Sequence, residues 1–316
     1  MSSSRDNGLN GKIISLNHYS WDEVIAAFES ELYKQSKSEI TIERYAACIN
    51  IFSNFYRESL KKPGPYVEKL EKSDFRAFIN YLRHDRQLST PSVNRNVVAL
   101  RAFSRFIFAK GLHRKFLAKD LKTYRVQTTK TIPHLSKREV RRIVTAVDLN
   151  SRNGYRNLAI LQLFLQCGLS VGEVVRLSRN DITLHKTKGT IRVRDDKKGS
   201  QREIPLNKTV RKALNNYLEI RGPIAGHEPV FVSERQHRIG VATIQHMIKR
   251  ILCIAGHEDL TTQDLRHHFA MEFYMRSDGD LVATQKVLGH SNIITTARYA
   301  KAFTHKIQEA IDGMDS

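Results

Sequence analysis

The stretch Leu288-Gly289-His290-Ser291-Asn292-Ile293-Ile294-Thr295-Thr296-Ala297-Arg298-Tyr299 sets a histidine nine residues before a tyrosine, across a short polar turn. About two dozen residues upstream of that histidine stands Asp264-Leu265-Arg266-His267-His268-Phe269-Ala270. Together the segments hold what an attack on a phosphodiester needs, and no metal is called for. Arg266 can offer a planar fork to two phosphate oxygens at once. His290 can donate a hydrogen bond to the same phosphate or exchange a proton with the nucleophile. Tyr299 supplies a phenol whose ordinary pKa is about 10, so it needs such neighbours to react at neutral pH. A covalent tyrosyl link would conserve the phosphodiester energy, and strands could be rejoined without ATP. Taken one at a time, the tyrosine reads as packing, the Arg-His pair as salt-bridged structure and the Gly-His turn as a common turn. Order and spacing in combination give them weight.

Outward from these segments, composition narrows the partner. The 316 residues carry Lys+Arg 52 against Asp+Glu 32, a formal net charge of +20. The 41% hydrophobic and 27% charged fractions are ordinary for a globular protein, whereas the charge surplus is not. Such a surplus repels itself unless a polyanion is the working partner. Basic residues spread along the chain favour nucleic acid over an anionic membrane, for which they would gather beside one anchor. The most apolar run, Leu158 to Leu169, is too short to span a bilayer and predicts a buried helix. Met1-Ser2-Ser3-Ser4-Arg5-Asp6 lacks the apolar core of a signal peptide. Cys48, Cys167 and Cys253 lie roughly a hundred residues apart without zinc-ligand spacing, which predicts buried free thiols in a reducing compartment. The expectation is a cytoplasmic, DNA-binding protein with no membrane contact, no cofactor and no metal.

Periodicity predicts a mainly α protein with a small antiparallel β-sheet, in two domains. Residues 1–20 are polar and read as a flexible arm. Residues 21–121 read as four helices without a strand. The first carries Val24, Ala27, Phe28 and Leu32, and the second follows Thr41 as a cap, through Tyr45, Ile49, Phe52 and Phe55. Ser73-Asp74 opens the third, with Phe75, Phe78, Ile79 and Leu82. Thr90-Pro91 opens the fourth, which runs to a stop at Lys110-Gly111. That helix also carries Arg95, Arg101, Arg105 and Lys110, for which phosphate contact and a plain solvated face both fit. Residues 122–135 turn polar and basic, with Lys122, Arg125 and Lys130 among threonines, and predict an extended DNA-contacting linker. Ser136-Lys137-Arg138-Glu139 is a capping box that opens the second domain, 136–316. Helices at 136–147, 152–168 and 171–177 are followed by short alternating runs through Ile182, Leu184, Ile191, Val193 and Ile204, which predict a three-stranded antiparallel sheet. Helical periodicity resumes at Val210.

Leu265-Arg266-His267-His268-Phe269-Ala270 resembles the Leu-Arg-His-x-Phe-Ala segment of the tyrosine recombinase family, the phage integrases and Xer-like recombinases. Leu288-Gly289-His290-Ser291 resembles its Leu-Gly-His-Ser segment, and Thr295-Thr296-Ala297-Arg298-Tyr299 its Thr-Thr-x-x-Tyr segment. The resemblance implies a helical, SAM-like core-binding domain over 21–121 and an α+β catalytic domain over 136–316. It implies a site-specific recombinase that cuts and rejoins double-stranded DNA through a 3′-phosphotyrosyl intermediate, in integration, excision or resolution of a mobile element or replicon. Tyr299 would be the nucleophile, with Arg266 and His290 on the phosphate. Lys197, or its neighbour Lys198, would protonate the departing 5′-hydroxyl from the turn before Gln201-Arg202-Glu203-Ile204-Pro205-Leu206. The implied assembly is a dimer on each site and a tetramer on two, with accessory DNA-bending proteins as further partners. In it the tail after Tyr299, with Phe303, Ile307, Ala310 and Ile311 on one face, packs into a neighbouring copy rather than into its own core.

Two positions depart from the family pattern. Cys167-Gly168-Leu169-Ser170-Val171-Gly172-Glu173-Val174 matches Gly-Leu-Arg-x-x-Glu, except that Ser170 occupies the place of a catalytic arginine. A hydroxyl gives one neutral hydrogen bond where arginine gives a charged clamp, and losing such a donor costs about 3 kcal/mol of transition-state stabilisation. Gln263 stands three residues before Arg266, where a histidine is usual, and can donate a hydrogen bond without carrying charge. Three accounts of Ser170 fit. Another arginine reaches the phosphate, Arg156, Arg176 and Arg179 being near in sequence; or the enzyme is slow; or the chain is a catalytically weak or inactive DNA-binding accessory relative, or a variant altered to trap an intermediate. The retained set of Lys197, Arg266, His290 and Tyr299 favours an active enzyme with compensation. A type IB topoisomerase would share the tyrosine chemistry without this pattern, and a metal nuclease would need a carboxylate cluster that does not stand out.

Overall fold

Six α-helices among the described residues start where a Ser, Thr, Asn or Asp side chain accepts an otherwise orphaned backbone N–H. The computed structural model describes residues 20–61, 67–126, 132–195 and 199–312. The chain divides into two compact units, Met1–Thr128 and Thr129–Ser316.

The first unit comprises α1 (Trp21–Lys34), α2 (Glu39–Glu58), α3 (Lys72–His84) and α4 (Thr90–Ala109), with no strand among its described residues. Ser20 and Glu23 cap α1 reciprocally. Their apolar faces meet in an aromatic core in which Trp21 stacks on Phe103 at 6.0 Å and meets Phe52 edge-on at 5.8 Å. Two helix starts differ from expectation. The N-cap of α2 is Ser38, whose extended backbone leaves Thr41 inside the first turn, where the two hydroxyls pair at 2.7 Å. α3 begins at Lys72, because the Asp74 carboxylate reaches back to accept the Glu71 N–H at 2.8 Å.

The described ends of the polar segment after α4 are each held by side chains of the unit beside them. The Asn94 side chain donates to the Tyr124 carbonyl and accepts from its N–H, both at 2.8 Å, and Arg83 lies 4.3 Å above the Tyr124 ring. At the far end Leu135 is buried in the core of the second unit and its N–H donates to His268 Nδ1 at 3.2 Å. Lys130 and nearly all of the N-terminal arm lie outside the described residues.

The second unit runs α5 (Lys137–Thr145), α6 (Gly154–Cys167), α7 (Val171–Arg176), β1 (Ile182–Leu184), β2 (Gly189–Asp195), β3 (Ser200–Pro205), α8 (Lys208–Arg221), α9 (Val241–Ile254), α10 (Thr262–Arg276), α11 (Leu281–Leu288) and α12 (Ile293–Asp312). The mainly helical architecture and the small antiparallel sheet are those the sequence predicts. The strands lie in the order β1-β2-β3, with Ile191 opposite Ile182 on one side and Ile204 on the other. α6 is apolar on almost every face and occupies the centre, packed against α8 and α10. Cys48 and Cys167 are buried, and burial pushes each thiol up to about 12. Cys253 is exposed, against expectation. Ile244, Ile248, Ile251 and Leu252 define the buried side of α9, and residue 253 falls off that stripe. Among the described residues no helix is long and apolar enough to cross a membrane, and no group of three or more His, Cys, Asp and Glu could hold a metal ion.

Candidate active site

Gly168 ends α6 with φ +59°, and a Cβ there would fall 2.1 Å from the Phe269 ring of α10. Only glycine suits both the left-handed turn and that close approach. The turn delivers Ser170 to the N-cap of α7. Its Oγ accepts the Glu173 N–H at 3.3 Å, and its own N–H donates to the Glu173 carboxylate at 2.7 Å. An arginine could donate to Glu173 but could not accept the orphaned N–H as this hydroxyl does. Ser170 is therefore a helix cap beside the site.

Glu173 is the hub of the cluster. Its carboxylate also receives Arg202 Nη1 at 2.8 Å and Arg266 Nη1 at 3.0 Å. Burial opposes its charge, but the Arg202 hydrogen bond and the charges of Arg266 and Arg202 prevail and hold it below the usual carboxylate range. Arg266, on α10, is 7% exposed and also donates to the carbonyls of Gly168 and Leu288, both at 2.7 Å. One guanidinium thus ties the α6–α7 turn to the end of α11. Arg202 reaches the cluster from β3. Its Nε donates to the Val287 carbonyl at 2.8 Å, while Nη2 is buried without a hydrogen-bond partner among the described residues.

Gly289 caps α11 at φ +71°, and a Cβ there would lie 2.6 Å from Arg202 Nη1. The next residue, His290, holds Thr296 Oγ1 through Nδ1 at 3.0 Å. Its ring lies nearly parallel to that of Tyr299, 11° apart in plane with centroids at 6.4 Å. Tyr299, in the first half of α12, is 1% exposed. Its hydroxyl sits 2.8 Å from His267 Nδ1, and His267 Nε2 lies 3.4 Å from the Gln263 side-chain nitrogen. Burial, helped by Arg298 and Arg266, pushes His267 down to about 4. Burial followed by Arg266 and Arg202 does the same to His290, also to about 4. Both imidazoles are neutral at pH 7. Burial raises the Tyr299 phenol, so the hydroxyl keeps its proton until a base takes it.

The structure therefore brings Ser170, Gln263, Arg266, His290 and Tyr299 into one cluster. Lys197, with Lys198, lies outside the described residues. Of the arginines near Ser170 in sequence, Arg156 is turned to the Val232 carbonyl at 2.8 Å and Arg179 to the Ile182 carbonyl at 2.7 Å. Arg176 lines a cleft of about 320 Å³ with Glu173, Arg192, Arg194 and Arg238. His267 and Arg202 are the residues that sequence reasoning passed over. His267 stood inside a quoted motif without a role. Arg202 shares the face of β3 with buried Ile204, a charged residue on the inward phase of a strand, which is the signal that could have singled it out.

In the first unit, Arg95, Arg105 and Lys110 are exposed and Arg101 is half-buried on α4. Arg95 and Arg44 line one groove beside α4, and Arg101, Arg105, Lys37 and Lys110 another. Lys110 pairs with Glu31 at 3.0 Å, an acid that α1 supplies. Lys122 and Arg125 are exposed on the strapped segment.

The Phage integrase family profile matches residues 133–306, and the phage integrase N-terminal SAM-like domain profile matches residues 24–116. The chain is 28% identical over 298 residues to tyrosine recombinase XerC of Caldanaerobacter subterraneus, covering 88% of this chain and 82% of that one. It is 30% identical over 293 residues to tyrosine recombinase XerA of Thermococcus kodakarensis, covering 92% and 94%. Its fold matches that of the XerH site-specific recombinase bound to palindromic difH substrate in a post-cleavage complex, with a TM-score of 0.72, 18% identity and coverage of 94% and 85%.

Proposed function

The chain belongs to the phage integrase family of site-specific tyrosine recombinases, enzymes that break and rejoin DNA strands, and from that premise we propose the roles of its own residues. The observation that carries the assignment is the contact between the buried Tyr299 hydroxyl and the neutral His267 ring, beside His290 and Arg266. Tyr299 Oη attacks the scissile phosphorus. The bond from phosphorus to the 5′-oxygen breaks, and the DNA 3′-phosphate becomes linked to the tyrosine. The phenol proton passes to Nδ1 of His267, whose own proton then sits on Nε2, where the Gln263 amide can accept it once turned to present its oxygen. Arg266 and His290 stabilise the non-bridging oxygens as charge builds. Lys197 donates the proton that the departing 5′-oxygen takes. Rejoining runs the same steps backwards, with a 5′-hydroxyl as nucleophile and the tyrosine as leaving group.

The charge surplus and the basic grooves of the first unit support DNA as the partner, with Arg95, Arg101, Arg105, Lys110, Lys122, Arg125 and Lys130 on the phosphate backbone. A dimer on each site and a tetramer on two is the assembly that strand exchange requires, and accessory DNA-bending proteins belong to the same reading. Ser170 favours one other reading, a DNA-binding accessory relative with a weak or silent site.

Covalent trapping separates the two. Purified protein is mixed in EDTA with fragments of its host DNA, denatured, and the linked DNA sequenced beside a Tyr299→Phe control. Adducts at a recurring sequence, lost in Tyr299→Phe, are expected. Specific binding without adducts from either protein would sink the enzyme reading and leave the accessory one.

A further inference from the structure

Removing a catalytic arginine from a phosphate site leaves the transition-state charge short of one positive partner. In this chain that position is Ser170, and the hydroxyl is engaged as the N-cap of α7. The same carboxylate that binds the Ser170 N–H also binds Arg202, so the two residues meet at one hub. We propose that Arg202 supplies the cationic contact to the scissile phosphate that an arginine at 170 would otherwise give; this rests on the recombinase reading above.

Several independent features of the geometry carry it. The guanidinium is brought in from β3 and fixed on two sides, by the Val287 carbonyl and by Glu173. It is held against the turn that carries His290, at the one place where Gly289 leaves room: a side chain there would meet Nη1 at 2.6 Å. Nη2 is buried with no hydrogen-bond partner among the described residues. A buried guanidinium nitrogen without an acceptor is a costly arrangement. A non-bridging phosphate oxygen would provide the missing acceptor. Charge counting agrees. Arg266 and Arg202 share the single negative charge of Glu173, so the cluster keeps one net positive charge for the phosphate. Without Arg202 the cluster would be neutral. Arg202 is also among the charges that keep the His290 ring neutral, which puts it within electrostatic reach of a second phosphate-facing group. Arg156 and Arg179 hold backbone carbonyls elsewhere in the unit.

The test uses full-length protein and a nicked duplex of the sequence recovered by trapping, with either a phosphate or an uncharged methylphosphonate at the scissile position. Arg202→Gln is expected to lower the rate of Tyr299 adduct formation on phosphate by about 100-fold or more, the scale of removing one oxyanion donor. On the methylphosphonate, which needs less positive charge, the deficit should shrink to below about 10-fold. The Ser170→Arg/Arg202→Gln double variant should recover most of the phosphate rate, because charge returns from the neighbouring position. A purely structural Arg202 would give a deficit that neither the methylphosphonate nor Ser170→Arg repairs, and that result overturns the proposal. If Arg202→Gln does not fold, Arg202→Lys serves: retained charge predicts measurable adducts on phosphate and near-normal rates on methylphosphonate, and equal losses on both substrates overturn the inference. A wild-type protein that forms no adducts while Ser170→Arg forms them would also overturn it. Absence of adducts from both proteins would instead bring down the recombinase reading beneath it.

Discussion

His267 and His268 are neighbours in sequence with separate tasks. The helix turns successive side chains by roughly 100°, so one ring faces Tyr299 and the other accepts the Leu135 N–H that docks the start of the unit. Proximity suits His267 to the proposed role of base for a phenol whose own acidity burial has weakened. Its acidity, and that of His290, has a thermodynamic consequence. Both rings titrate at about 4 in the folded protein, against an ordinary value of 6.5. Between those values the unfolded chain binds protons that the folded one refuses, so stability falls as pH drops from 6.5 towards 4 and is indifferent to these groups above 6.5. Melting temperatures measured from pH 7.5 to 4.5 should therefore decline more steeply in the wild type than in His267→Gln. Identical slopes would show that His267 is not buried in its neutral form. Tyr299, Arg266 and His290 were legible in the sequence because each sits at fixed spacing inside a local motif. Arg202 was not, since its partners come from two other segments, Glu173 in α7 and Val287 with Gly289 at the end of α11, and meet it only through folding.

At the level of elements, the site is a meeting of ends rather than a pocket in one element. The C-terminus of α6, the N-terminus of α7, strand β3, the middle of α10 and the C-terminus of α11 converge on the Glu173 carboxylate and the two guanidiniums that share it. Their side chains are 13%, 16% and 9% exposed for Glu173, Arg202 and Arg266, so water screens the group little. Breaking a buried pair by neutralising one partner strands the other charge, at about 3–5 kcal/mol. Glu173→Gln leaves two guanidiniums without their counter-charge and should lower unfolding stability by about that much. Denaturant titration would measure it, and a loss below about 1 kcal/mol would mean that the carboxylate is in practice screened like a surface ion pair. The capping boxes explain which elements were readable. Ser136 with Glu139 announced α5 at the right place. α2 and α3 began earlier than expected, because the choice among neighbouring polar residues depends on which one has extended backbone, a property that sequence does not carry.

On the scale of the whole molecule, each unit has its own apolar core, and both are strongly apolar without disulfide or metal support among the described residues. A chain of +20 built this way repels its own copies until a polyanion neutralises it, so association is expected to follow DNA binding rather than precede it. The tail bears on how copies then engage. α12 runs unbroken from Ile293 to Asp312 and so places Tyr299 and the tail on one rod. Phe303 packs edge-on against Tyr274 at 5.9 Å within the same copy, which answers for that residue the question of where the apolar face goes. The side chains of Ile307, Ala310 and Ile311 lie outside the described residues, and the proposed tetramer assigns them to a neighbour. Truncation after Thr304 keeps Phe303 in place and removes only the part assigned to exchange. The truncated protein should bind a single half-site with unchanged affinity while losing at least about tenfold in binding the second half-site, about 1.4 kcal/mol of cooperativity. Gel-shift titration on one and two half-sites would read both quantities. Unchanged cooperativity would remove the tail from the interface, and the copies would have to meet through another surface.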